Sequence, residues 1–359
     1  MTALSAMRGA MVGLGHVALE GHLPAWKKRN DFTISAGVDP SAERREAFQS
    51  LAPGIPAYAT LEECLSSHEL DFADVCAPPH AHFGIAETAL RSNLHVLCEK
   101  PLVLKEEELG VLELLSRNAG SAIVSVHNWK FSPICAKISS LMREKAIGPL
   151  ARLEWYVLRG GPSVTTDQGG ANWRLDPRLS GGGILVDHGW HAFYLALEWF
   201  GAKPAELCAS LENRLSEPLP VEDTANVRLR FSGGGEAEIF LTWASRLRKN
   251  SGALEGALGR IRMEDDVLRV FRGGGAEPEE VIRFDAALSA GSHHPDWFGR
   301  VISEFSGEIG DPAVRGRSLC AARTCLELVL AAKESHRQGS RFLSLRAPAD
   351  RSAAGGSRP

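Results

Sequence analysis

Up to about residue 128 the chain alternates short apolar runs with longer amphipathic stretches. Residues 9–12, 32–38, 72–77, 95–98 and 122–126 are apolar without period-two alternation, with a shorter run around Tyr58. Such runs suit strands of a sheet covered on both faces. Residues 18–28, 41–51, 61–68, 81–92 and 106–118 carry helical character between them. Strand and helix in turn predict βαβ units and a parallel sheet, so residues 1–128 read as a doubly wound domain. Beyond that the pattern changes. Residues 150–159, 205–211, 224–231, 237–243, 259–263, 267–271 and 281–284 alternate polar and apolar, several separated by Gly-rich turns. This predicts a large, mostly antiparallel open sheet in an α+β domain over residues 129–345, with one face exposed. Helices at 134–145, 188–200, 297–306 and 319–338 are expected to flank that sheet. Residues 346–359 are Ser, Gly, Ala, Arg and Pro in the main, and disorder is expected there.

Composition narrows the function classes. The chain has 359 residues, enough for two domains with sizeable cores; 44% are hydrophobic and 23% charged. No apolar run is long enough to cross a bilayer, and the first ten residues lack the apolar core of a secretory signal, so a cytoplasmic protein without membrane association is expected. The formal net charge is −4 and there is no basic stripe, which argues against a nucleic-acid partner. Seven scattered cysteines with no CxxC pair read as reduced thiols, and no metal ligands are assigned.

Gly13-Leu14-Gly15-His16-Val17-Ala18 fits GxGxxG/A after a strand and at the start of a helix. The first glycine permits the tight turn, the second lets backbone approach a pyrophosphate, and the small third residue lets helix and strand pack closely. Asp39 lies 21 residues after Ala18 at the end of the next strand. A carboxylate there accepts from ribose hydroxyls and repels a 2′-phosphate. NAD is the expected cofactor; Arg44 and Arg45 keep NADP as the alternative.

Two further segments carry candidate chemistry. Cys98-Glu99-Lys100-Pro101 ends a strand at the sheet edge where ligands bind, and proline holds Lys100 extended. After Gly181-Gly182-Gly183, the residues Asp187 and His191 are four apart, which on a helix puts them on one face. A carboxylate beside an imidazole fixes its tautomer and raises its pKa, as a general base needs. His188 is the alternative base.

Together these motifs resemble the Gfo/Idh/MocA oxidoreductases, the family of glucose–fructose oxidoreductase and inositol dehydrogenase. The resemblance rests on the Gly13–Ala18 loop, on Glu99-Lys100-Pro101, and on Trp173-Arg174 followed by the triple glycine and Asp187-His188-Gly189-Trp190-His191. Asn128-Trp129-Lys130-Phe131-Ser132-Pro133 looks like the crossing into the second domain, and Pro78-Pro79-His80-Ala81-His82 like the loop under the nicotinamide. It implies hydride transfer between NAD and a polyol, sugar derivative or cyclitol. Lys100 would bond the reacting oxygen, His191 would be the acid/base, and Asp187 would orient substrate or histidine. It further implies a cis peptide before Pro101 and a homodimer or homotetramer through the open sheet face. The cofactor residues expected are Gly13, Gly15, His16, Val17, Asp39, Ala77, Pro78, His82, Glu99, Lys100 and Asn128. Substrate contacts are expected from Lys130, Tyr156, Asn172, Trp173, Arg174, Asp187 and His188, with His293 and His294 as further candidates. His188 stands where relatives often have an apolar residue. Two rival readings are reduction of a C=N or C=C bond, and a dinucleotide- or sugar-sensing regulator without catalysis.

Overall fold

The computed structural model describes residues 6–163, 172–291 and 293–345. The disorder expected over 346–359 falls outside them. The first sheet has six parallel strands: β1 (Met7–Val12), β2 (Phe32–Val38), β3 (Ala57–Tyr58), β4 (Phe72–Val75), β5 (His95–Cys98) and β6 (Ile123–Ser125). Their order is β3-β2-β1-β4-β5-β6, so the chain reverses direction between β1 and β4. In a doubly wound sheet the crevice outside the carboxyl ends of the strands at that reversal is where ligands bind. The continuous burial of β4 and of most of β1 explains why these strands lack period-two alternation.

The second sheet has nine strands: β7 (Leu150–Leu158), β8 (Pro204–Glu212), β9 (Thr224–Phe231), β10 (Glu236–Thr242), β11 (Lys249–Gly256), β12 (Gly259–Glu264), β13 (Val267–Arg272), β14 (Glu280–Arg283) and β15 (Leu343–Ser344). The order is β14-β13-β12-β11-β7-β10-β9-β8-β15, antiparallel throughout except for the β7–β10 pair. Along β9 buried and exposed positions alternate over the second half, as a one-sided sheet requires. Its inner face packs Trp155, Leu229 and Ile239 into a single core with the helix Trp190–Phe200.

Two features depart from the sequence expectations. Strand β11 was not anticipated, because Lys-Asn-Ser-Gly-Ala-Leu-Glu-Gly has little β-propensity. Its Gly252 lies against Trp155: a Cβ there would sit 2.7 Å from the indole Cε3. The glycine makes room for the tryptophan, and pairing with β7 and β12 on either side supplies what propensity does not. The second departure is the helix Pro295–Gly310, expected to flank the second sheet. Its Phe298, Val301, Ile302 and Phe305 instead join Trp26, Phe32 and Phe72 in the core of the first domain. The chain therefore returns to the first domain before the last long helix, Arg317–Arg337.

Candidate active site

At the end of β1 Gly13 takes φ +90°, and a Cβ at this position would lie 2.5 Å from the Ala77 backbone nitrogen. Glycine is needed there both for the left-handed turn and for the contact between the loops after β1 and β4. Gly15 has nothing within 4 Å of where its Cβ would be, which leaves its backbone open. A helical turn, Val17–His22, follows. Asp39 closes β2 and is buried. One carboxylate oxygen accepts the Leu14 N–H (2.8 Å), the other the Ser41 N–H (2.9 Å), and Arg44 stands 3.6 Å away. Asp39 thus ties the glycine loop to the second strand. An open glycine-rich turn, a helical start and a carboxylate at the next strand end fit a dinucleotide, and Asn128 adds a buried Oδ1 without a hydrogen-bond partner.

Lys100 follows β5 and Glu99, and the Lys100–Pro101 peptide is cis as expected. Its Nζ donates to the Asp187 carbonyl (2.7 Å) and to Asp187 Oδ1 (2.8 Å). The other Asp187 oxygen lies 3.3 Å from His188 Nδ1, an ion-pair distance without hydrogen-bond geometry. Burial works to raise the Asp187 pKa, but the Lys100 and His188 charges outweigh it and hold the carboxylate well below its ordinary range.

His191 differs from its expectation. Asp187 is committed to Lys100, and the partner of His191 is Tyr194, whose Oη is 2.8 Å from His191 Nδ1. Tyr194 Oη also accepts the Trp129 N–H at 2.9 Å. Oη has a further lone pair for an Nδ1–H donor, and in that tautomer Nε2, the ring nitrogen free for the cavity, is the unprotonated nitrogen a base needs. Trp129 stacks on the ring at 4.4 Å and 7°. Burial first, then the Lys100 and His188 charges, push the His191 pKa well below 6.5, where the sequence reading expected it raised. The acid limb of kcat/KM is accordingly expected below pH 6.5. The depressed pKa keeps the imidazole neutral as pH falls, and a limb at or above 6.5 would contradict its use as the base. The same depression makes the fold lose stability below pH 6.5, because the unfolded imidazole takes up a proton that the buried one refuses. Tyr194→Phe removes the hydroxyl that partners His191 Nδ1. It is expected to lower kcat by ~10-fold, short of the loss of His191 itself, with NAD affinity unchanged. Steady-state kinetics and a dinucleotide titration check both parts.

Beneath Lys100 runs a buried network. Glu99 accepts the Lys100 N–H at 3.0 Å and lies 3.2 Å from His22 Nε2; His22 Nδ1 lies 3.0 Å from both Asp74 oxygens. Burial opposes a charged His22, but Asp74 and Cys76 outweigh it and raise its pKa well above 6.5. His22, Asp74 and Cys76 bring three potential metal-ligand atoms within 4.8 Å of one another, but hydrogen bonds among themselves and to Trp26 account for them.

The glycine loop, Asp39, Lys100, Asp187 and His191 open on one cavity of about 990 Å³. Of the expected residues, Gly13, Gly15, His16, Val17, Asp39, Ala77, Pro78, Glu99, Lys100, Asn128, Trp173, Arg174, Asp187, His188, His191, His293 and His294 line it. Four do not. His82 is buried between the Ala77 and Pro101 carbonyls (2.7 and 2.8 Å) and ties the two loops together. Tyr156 points to the opposite face of β7 from the buried Trp155 and Val157, near Phe240. Lys130 pairs with Glu304 at 2.5 Å. Asn172 caps its own loop, accepting from the Arg174 N–H and donating to the Ser163 carbonyl. The sequence reading passed over Trp129, Arg159 and Arg248, which line the cavity, and Tyr194 behind His191. Of these only Trp129 had a local signal, its place beside Asn128.

The family description "Oxidoreductase family, NAD-binding Rossmann fold" matches residues 7–127, and "GFO/IDH/MocA C-terminal domain" matches residues 135–262. The chain belongs to the Gfo/Idh/MocA family. It is an oxidoreductase-family protein whose first domain binds NAD. A candidate UDP-kanosamine synthase oxidoreductase subunit of Amycolatopsis mediterranei is 27% identical over 355 residues, spanning 90% of this chain and 94% of that one. An aldose–aldose oxidoreductase of Caulobacter crescentus, solved with glycerol, is 22% identical with a TM-score of 0.78 over 95% of this chain and 100% of that one. An inositol dehydrogenase homologue of Azotobacter vinelandii, solved with NAD+, is 19% identical with a TM-score of 0.80 over 96% and 98%. These two share the fold of this Gfo/Idh/MocA chain. No helix among its described residues is long and apolar enough to cross a membrane.

Proposed function

We propose that the protein interconverts an alcohol and a ketone on a sugar, sugar derivative or cyclitol, with NAD as hydride partner. The observation that carries this reading is the convergence of Lys100 Nζ, the Asp187 carboxylate and a neutral His191 on the cavity that also holds the glycine loop. Bound NAD supplies hydride acceptance or donation at its nicotinamide. Gly13, Gly15, Val17 and Asp39 would hold its pyrophosphate and ribose side. Lys100 keeps a cationic donor at the reacting oxygen, favouring the charge that develops there. Asp187 aims that amine. In oxidation His191 Nε2 takes the carbinol proton, its own proton held on Nδ1 against Tyr194 Oη, and in reduction the imidazolium so formed gives that proton back to the oxygen. Relatives named for aldose–aldose oxidoreduction, inositol dehydrogenation and UDP-kanosamine synthesis point the same way.

The reading extends to the cell and the assembly. Seven free cysteines suit a reducing cytoplasm. The outer face of the second sheet, where Arg152 pairs with Glu154 and Glu238, is the surface through which two or four copies would associate. Sedimentation showing a monomer at micromolar concentration would exclude that.

The test of activity is NADH absorbance with purified protein, NAD or NADP, and a panel of aldoses, inositols, sugar phosphates and nucleotide sugars. Signal with one class supports the reading and names the class. NAD binding with silence across the whole panel would contradict it and favour the sensing reading.

A further inference from the structure

Beyond Lys100, Asp187 and His191 the cavity wall is cationic. Arg159 directly follows β7 and is only 3% exposed. Its Nη1 donates to the Leu158 carbonyl (2.8 Å) and the Lys249 carbonyl (3.2 Å), while its Nε is buried with no hydrogen-bond partner. Arg248 donates from Nε to the Ser289 carbonyl at 2.6 Å and from Nη2 to the Gly291 carbonyl. Among the described residues neither arginine has a carboxylate at ion-pair distance; of the two carboxylates near Arg159, Asp187 is paired with Lys100 and His188, and Asp265 accepts the Asn250 N–H. Both line the cavity, together with Arg174, whose guanidinium lies 4.3 Å over the Trp173 ring.

Burial and the Arg248 charge bring the Arg159 pKa down to about 10, so it is still cationic at pH 7. A buried guanidinium hydrogen-bonded only to backbone carbonyls is incompletely compensated for its desolvation. An arriving anion offsets that. The planar fork of arginine matches phosphoryl and carboxylate oxygens, and such charge-assisted bonds are stronger than neutral ones.

We propose that this end of the cavity is an anion subsite, and that the substrate carries a phosphoryl or carboxylate group, away from its reacting carbinol, that is held by Arg159 and Arg248. The placement of the carbinol rests on the reading above; the subsite itself is testable without turnover.

Protein saturated with NADH, so that the glycine loop is filled, is titrated calorimetrically with glucose, glucose 6-phosphate, glucuronate and UDP-glucose. At least one anionic probe is expected to bind ~10-fold or more tightly than glucose, with the preference shrinking as salt rises. The three anions separate a phosphate monoester, a carboxylate and a diphosphate as its source. Arg159→Met and Arg248→Met are each expected to abolish the preference while NADH affinity holds. Arg248 is exposed and its variant keeps the test intact should Arg159→Met fail to fold. Glucose binding as tightly as every anion would overturn the proposal, as would a preference that survives in Arg248→Met. Anion preference with no turnover of any carbinol would instead sink the dehydrogenase reading and leave the subsite standing.

Discussion

Lys100→Ala is expected to lower kcat by ~10²-fold or more while the NAD dissociation constant stays within about twofold. Two hydrogen bonds go from the Lys100 ammonium to Asp187, one to the carbonyl and one to Oδ1, which leaves its third proton for a ligand in the cavity. Alanine removes the donor that meets charge on the reacting oxygen. It also leaves Asp187 without the cation that keeps it ionised despite burial. Some loss of thermal stability therefore accompanies the kinetic loss, and kcat is to be read at a temperature where the variant is fully folded. His191→Ala is expected to match it in kcat, because both groups act on the same oxygen. Unchanged turnover in both variants would remove the assignment.

Asp39→Ala is expected to raise the NAD dissociation constant by ~10-fold or more and to narrow the gap between NAD and NADP. The structure refines the reason. The Asp39 carboxylate already accepts from Leu14 and Ser41, so it organises the glycine loop as well as offering its charge to the ribose side. Hydrogen bonds to a charged group contribute about 1.5–3 kcal/mol each, and alanine removes both of them. Part of the effect is thus loss of a preformed loop, felt by NAD and NADP alike. The narrowing comes from the lost negative charge beside Arg44. Fluorescence titration with both reduced dinucleotides separates the two: equal weakening reports the loop alone, and unchanged affinity for both would contradict the role of Asp39.

What the sequence made legible was local. Gly13, Gly15 and Asp39 sit at fixed offsets along β1, its following turn and β2, and Lys100 and Asp187 each sit in a short run whose backbone conformation its own residues dictate. What it hid was relational. Nothing near Tyr194 announces that it carries the His191 hydrogen bond, because its other partner is the backbone of Trp129, 65 residues away. Asp187 and His191 were paired by spacing, yet Lys100, brought in from the first domain, took the carboxylate. Arg159 and Arg248 reach the cavity only because β11 pairs with β7, and β11 was hidden by its glycines. Tyr156 was avoidable: with Trp155 and Val157 buried, strand alternation already turns it outward.

The most direct test of the account is transfer of label. With the polyol that responds in the panel, deuterated at each carbinol carbon in turn, the reduced dinucleotide is analysed by mass spectrometry after one turnover. The account predicts that deuterium from one carbinol position arrives on NADH, and that the rate of its arrival falls by ~10²-fold or more in Lys100→Ala. Product formed while NADH carries no deuterium from any position would contradict direct hydride transfer in this cavity.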